Sequence, residues 1–108
     1  MHYEFVELLP FASERDKLFS ESEYLDLQLF LCEKSDAGTV IPGTGGCRKL
    51  RWAAQGKGKR GGARVIYFLR IPPGQIVLVT AYGKGELEDV PRDWLRKIKE
   101  AFENEQGA

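Results

Sequence analysis

One histidine, two cysteines and one methionine in 108 residues leave little material for several kinds of chemistry. His2 stands alone, and Cys32 and Cys47 are not spaced as C-x-x-C, so no metal centre is expected. A nuclease built on paired histidines, or on a Glu–His pair, is excluded for the same reason. Two cysteines allow at most one bridge, which rules out a disulfide scaffold. No stretch approaches the roughly 18 apolar residues needed to cross a bilayer. The opening residues MHYEFVELLP carry neither a basic n-region nor a long apolar run. A cytoplasmic protein with both thiols reduced is the expectation. Repeats, low-complexity tracts and long linkers are also missing, so one α+β domain is expected over 1–108.

The most telling shortage is of acid in one place. The formal net charge is zero, but the signs are segregated along the chain. Residues 1–36 hold nine acids against Arg15, Lys17 and Lys34, a balance of −6. Residues 37–85 hold Arg48, Lys49, Arg51, Lys57, Lys59, Arg60, Arg64, Arg70 and Lys84 with no acid at all, a balance of +9. Residues 86–108 return to −3. A continuous cationic third points to a basic surface for a polyanion, with acidic helices elsewhere. Basic strands pairing with acidic helices inside one fold is the plainer alternative.

Hydrophobic periodicity supplies the elements. Tyr3–Leu8 reads as a first strand. Pro10 suits the first turn of a short helix, with Phe11/Leu18 and Ala12/Phe19 seven apart on one face. Ser20 and Glu23 form an S-x-x-E capping box that starts a second helix running to about Cys32. Leu25, Leu27, Leu29 and Leu31 also alternate as a strand would, but the cap and the helix formers favour helix. Asp36–Gly46 reads as a loop. Cys47–Ala53 reads as a strand, and Ala63–Ile71 and Gln75–Tyr82 as an antiparallel hairpin about Pro72-Pro73-Gly74. Val90, Trp94, Leu95, Ile98, Ala101 and Phe102 mark one face of a last helix, with Asp89 as its N-cap and Pro91 in its first turn. The expected order is β-α-α-β-β-β-α, with helices packed on a mostly antiparallel sheet.

Between two of these strands lies Gly56-Lys57-Gly58-Lys59-Arg60-Gly61-Gly62, which formally contains G-x-G-x-x-G. A dinucleotide-binding turn must open a helix, whereas this one opens the β-branched run ARVIYFL. A P-loop fails because Gly62 stands where its lysine is required. The kinase reading fails for want of H-R-D and D-F-G. What is left is either a solvated turn or a cationic finger whose glycines let the backbone approach a phosphate. Chemistry here would have to run on Lys, Arg and Tyr. RNA permits that. Attack of a 2′-OH on its own phosphate is intramolecular, so in-line geometry and neutralised charge can supply much of the acceleration. A lysine among cations is a potential base, arginine a two-pronged clamp and tyrosine a stacking or orienting group.

GTGGCRKLRWAAQGKGKRGGARVIYFL followed by LVTAYGKGELEDV resembles the HigB/RelE toxins of bacterial type II toxin–antitoxin systems, nearest to the HigB-type branch. The likeness covers essentially the whole chain and is densest from Ile41 to Asp89. It implies a RelE-like microbial RNase fold and a metal-independent, ribosome-dependent mRNA endoribonuclease (an mRNA interferase) that needs no cofactor. Such an enzyme cuts messenger in the ribosomal A site, against 30S rRNA, and inhibits translation. The resemblance also implies silencing by a HigA-like helix-turn-helix antitoxin, through which alone the toxin meets operator DNA. By position, Lys57 and Lys59 match the basic catalytic loop, Arg64 the phosphate-stabilising arginine, and Tyr82 and Lys84 the final tyrosine and basic pair. Lys57 or Lys84 is then the base, Arg64 the clamp and Tyr82 the orienter. Arg48, Lys49, Arg51 and Arg60 fall to RNA and ribosome binding. Independently, a hairpin turning at PPG brings Arg64 beside Tyr82–Lys84 at the opposite sheet end. Tyr82 also reads as an ordinary strand aromatic, and Tyr67 and Trp52 as core residues. A ParE-like gyrase poison without nuclease activity and a non-catalytic RNA-binding domain are the competing functions.

Overall fold

The computed structural model describes residues 2–54, 62–85 and 90–107. Strand β1 (Glu4–Glu7) leads into helices α1 (Leu9–Leu18) and α2 (Glu21–Glu33). Four strands follow, β2 (Thr39–Val40), β3 (Arg48–Trp52), β4 (Ala63–Arg70) and β5 (Gln75–Gly83), and the chain ends in helix α3 (Arg92–Gly107). This is an α+β protein. Among the described residues a five-stranded sheet has the order β1-β5-β4-β3-β2, antiparallel except for β1 beside β5.

Local signals account for most of these boundaries. At α2 the Ser20 hydroxyl accepts from the Glu23 N–H at 3.1 Å, and the Glu23 carboxylate accepts from the Ser20 N–H at 2.9 Å. The reciprocal bonds satisfy two donors that every helix start leaves over. Helical spacing also resolves the alternating leucines: Leu27 and Leu31, four apart, are fully buried, while Leu25 and Leu29 face solvent. Helix α1 carries its proline in the first turn and buries Phe11 and Leu18. The second expected pair splits, because Ala12 is exposed and Phe19 is buried from the C-cap position, beyond the helix proper. On α3, Leu95 is fully buried and Ile98 and Phe102 pack beside it, but Trp94 and Ala101 are exposed. The apolar stripe is therefore narrower than its sequence pattern. The expected cap Asp89 lies outside the described residues.

One expectation is corrected. The segment 36–46 is not all loop, since Thr39 and Val40 pair antiparallel with Lys49 and Arg48 as the edge strand β2. Two residues are too few to show a period, so pairing alone reveals them. The order becomes β-α-α-β-β-β-β-α. After β2 the chain turns through Gly43, Gly45 and Gly46, all at positive φ. The turn is closed by the buried Thr44, whose hydroxyl donates to the Ile41 carbonyl at 2.7 Å and accepts from the Cys47 N–H at 3.0 Å.

Helices α1 and α2 cover one face of the sheet and α3 the other. Strand alternation divides β4 between them. Val65 and Tyr67 join the cluster of Phe11, Leu18, Leu27 and Leu31, whereas Ile66 and Phe68 join that of Leu95. Across the second layer the Phe68 and Phe102 rings meet edge to face at 5.8 Å. Strands β4 and β5 are thus buried on both sides, and this explains their near-continuous apolar runs.

Candidate nucleic-acid interface

Register brings the cations together. Arg64 on β4 is the direct partner of Tyr82 on β5 and of Arg51 on β3, so one row across three strands reads Arg51, Arg64, Tyr82. The next row on the same face reads Thr39, Lys49, Ile66 and Thr80 across β2, β3, β4 and β5. Residues opposite one another in register project from the same face of a sheet. That face is the one α3 covers, as Ile66 and Tyr82 belong to its cluster. Helix α3 begins at Arg92, which shares a cleft with Lys49 and Tyr82 at this end of the sheet.

A cleft of about 430 Å³ occupies this position. Its lining comes from Thr39, Val40, Ile41 and Pro42, from Lys49, Ile66 and Tyr82 on the next three strands, and from Val90, Pro91 and Arg92. A neighbouring groove of about 440 Å³ shares Thr39 and Lys49 and continues over Ala37, Leu50 and Arg51. Lys49, Arg51 and Arg92 are exposed, Arg64 is half-buried, and Tyr82 is only 7% exposed. The arrangement offers cations at the rim, apolar walls and a phenol ring inside. Such a surface suits a phosphate chain carrying flat apolar groups.

Lys84 stands just past the end of β5, exposed, and its backbone N–H donates to the Gly62 carbonyl at 3.2 Å. That bond ties Lys84 to the residue where the chain returns from 55–61. Lys57, Lys59 and Arg60 belong to that segment and lie outside the described residues.

Arg48 does not join the group. Strand parity sends it to the other face, where it is the register partner of Tyr67. Its guanidinium donates to the carbonyls of Asp36 at 3.0 Å and Gly38 at 2.8 Å. The Tyr67 hydroxyl donates to the Ser35 carbonyl at 2.7 Å and accepts from the Gly38 N–H at 2.9 Å. Burial pushes the Tyr67 phenol up from its ordinary value. Arg48 and Tyr67 therefore hold the α2–β2 connection. Trp52, its indole N–H donating to the Glu23 carbonyl at 3.2 Å, fixes α2 to β3. Both aromatics are core residues, as expected.

Sequence reasoning passed over Thr39 and Arg92, which reach the cleft. Thr39 had no signal, being half of a two-residue strand. Arg92 did carry one: it begins α3, and a cation at a helix N-terminus opposes the backbone dipole. In the structure it lines the cleft. Compared with models of known protein families, the chain matches none. Among the described residues, no helix is long and apolar enough to cross a membrane.

Proposed function

We propose that this protein is a HigB/RelE-type toxin, a ribosome-dependent mRNA endoribonuclease of the cytoplasm. The observation that carries the reading is the pairing of Arg64 with Tyr82 on the sheet face that bears Lys49 and Arg51, one residue from the turn that holds Lys84. The element order supports it as well. A strand, two helices, a mostly antiparallel sheet and a closing helix follow the order that the resemblance implies, apart from the edge strand β2.

The reaction is run by these side chains, the RNA and solvent water. Lys84 or Lys57 takes the proton of a ribose 2′-OH, the oxygen attacks the adjacent phosphorus, and the P–O5′ bond breaks. A 2′,3′-cyclic phosphate results, and the 5′-oxygen leaves as an alkoxide that takes a proton from water. Arg64 grips the two non-bridging oxygens as their charge grows, which is the task a guanidinium fork suits. Tyr82 orients the ribose or its base. Lys49 and Arg51 hold the strand on ribosomal or messenger phosphates. The antitoxin would meet the basic face with acidic residues and could use Leu25 and Leu29, which are 53% and 57% exposed on α2.

Purified protein incubated with programmed ribosomes should cut mRNA in the A site, read by primer extension. Arg64→Ala and Lys84→Ala should each abolish cutting while the circular dichroism spectrum is unchanged. Full cleavage by either folded variant removes that residue from the mechanism. Growth arrest retained by a folded, uncutting Arg64→Ala protein would replace catalysis with plain RNA binding.

A further inference from the structure

Helix α2 carries a face that the fold leaves bare. Leu25 and Leu29, one turn apart, are 53% and 57% exposed, and the acids Glu21, Asp26 and Glu33 are exposed beside them. At about 100° per residue the leucines form a stripe, with Asp26 and Glu33 on one flank and Glu21 on the other. The helix contains no lysine or arginine. Helices α1 and α3 hold internal ion pairs, Lys17–Glu14 on the first and Arg96–Asp93 and Lys99–Glu103 on the second. None of the three exposed acids of α2 has an ion-pair partner among the described residues.

The 430 Å³ cleft on the other side of the sheet has the inverse character. Ile41, Pro42, Val90 and Pro91 give it apolar walls, and the exposed Lys49 and Arg92 stand among them. These two cations likewise have no ion-pair partner among the described residues. Amphipathic helices are bound in such grooves through apolar anchors four residues apart. We propose that α2 of one copy docks in the cleft of a second copy, Leu25 and Leu29 against the apolar walls and the acids beside Lys49 and Arg92. The occupant is this same chain because the chain supplies both halves, unpaired and of opposite sign. They lie on opposite faces of one sheet, so they cannot meet within a molecule. The contact is heterologous: each copy keeps one helix and one cleft unused, and the assembly grows with concentration. This inference concerns assembly and stands whether or not the protein cuts RNA. A docked helix would nonetheless hide Lys49 from a polyanion.

Sedimentation velocity of the full chain over a concentration series tests this. At about 50 mM salt the protein should pass from monomer to dimer and larger species, and at about 500 mM it should return to monomer as the charges are screened. Heparin, a polyanion that competes for the same cations, should disperse the assembly at low salt. The double variant Leu25→Glu/Leu29→Glu removes the helix half, and Lys49→Glu/Arg92→Glu the cleft half. Each alone should stay monomeric with the parent's circular dichroism spectrum. Mixed, they should form a one-to-one dimer and nothing larger, because one retains its cleft and the other its helix. A parent protein that is monomeric throughout overturns the proposal and leaves the α2 face to a different protein. A symmetric dimer that either double variant retains, a mixture that stays monomeric, or an assembly that heparin leaves intact overturns it as well.

Discussion

Arg51 and Arg64 stand directly opposite each other across β3 and β4. Like charges in that relation destabilise a sheet, by an amount comparable to the ~0.2–1 kcal/mol that opposite charges contribute. Lys49, two pairings away and so on the same face, adds to the repulsion. A polyanion laid across the row reverses the sign of all these interactions, so the local cost and the proposed ligand have a common explanation.

Replacing Arg51 by glutamate converts the repulsion into attraction. Arg51→Glu should raise stability by about 0.5 kcal/mol in urea unfolding and weaken binding of single-stranded RNA, with a shallower dependence on salt. A variant that is less stable, or that binds RNA as the parent does, would separate the pairing from the function.

The contact under β2 should be far less tolerant. A Cβ at Gly38 would lie 2.9 Å from Tyr67 Cε1 and 3.0 Å from Arg48 Cβ, both in a packed interior. Gly38→Ala should cost about 1–3 kcal/mol, as overpacking usually does. Tyr67→Phe should cost a similar ~1–3 kcal/mol, because it strands the buried Gly38 N–H. Thermal melting checks both. Either variant melting with the parent protein would mean that this connection does not hold the edge of the sheet.

Alkaline pH should destabilise the protein. Burial is the chief cause raising the Cys47 thiol above its ordinary 9.0 and the Tyr24 and Tyr67 phenols above 10.0. The Tyr24 hydroxyl also donates to the Glu7 carboxylate at 2.6 Å, so its ionised form would face a like charge. Each group keeps its proton when folded and loses it when unfolded, so stability falls as pH rises through the unfolded values. The urea midpoint should hold from pH 7 to 8 and decline above about pH 9, first through Cys47 and then through the phenols. Cys47→Ala should flatten the first part and Tyr24→Phe the second. A midpoint constant to pH 11 would show that these groups titrate alike in both states.

Adjacent residues show where sequence reading stops. Arg48 and Lys49 are neighbouring cations in an acid-free run, and both are expected to bind RNA. Strand geometry must send them to opposite faces, but nothing local says which face is the open one. The register with Ile66 gives Lys49 to the cleft, and the pairing with Tyr67 gives Arg48 to the loop carbonyls. The hairpin argument for Arg64 and Tyr82 succeeds because PPG fixes the turn and the two runs are long enough to count back from it. Thr39 and Arg92 lack such a ruler, since their approach to Tyr82 crosses four strands or an undescribed connection.

The capped start of α2, the β4–β5 hairpin and the segregation of charge follow from the sequence by itself, because caps, periods and turn chemistry act over a few residues. Only the tertiary structure decides which cations meet an apolar cleft and which merely brace a loop. That outcome depends on pairings between residues far apart in the chain, where shifting a strand by one position turns every side chain to the other face.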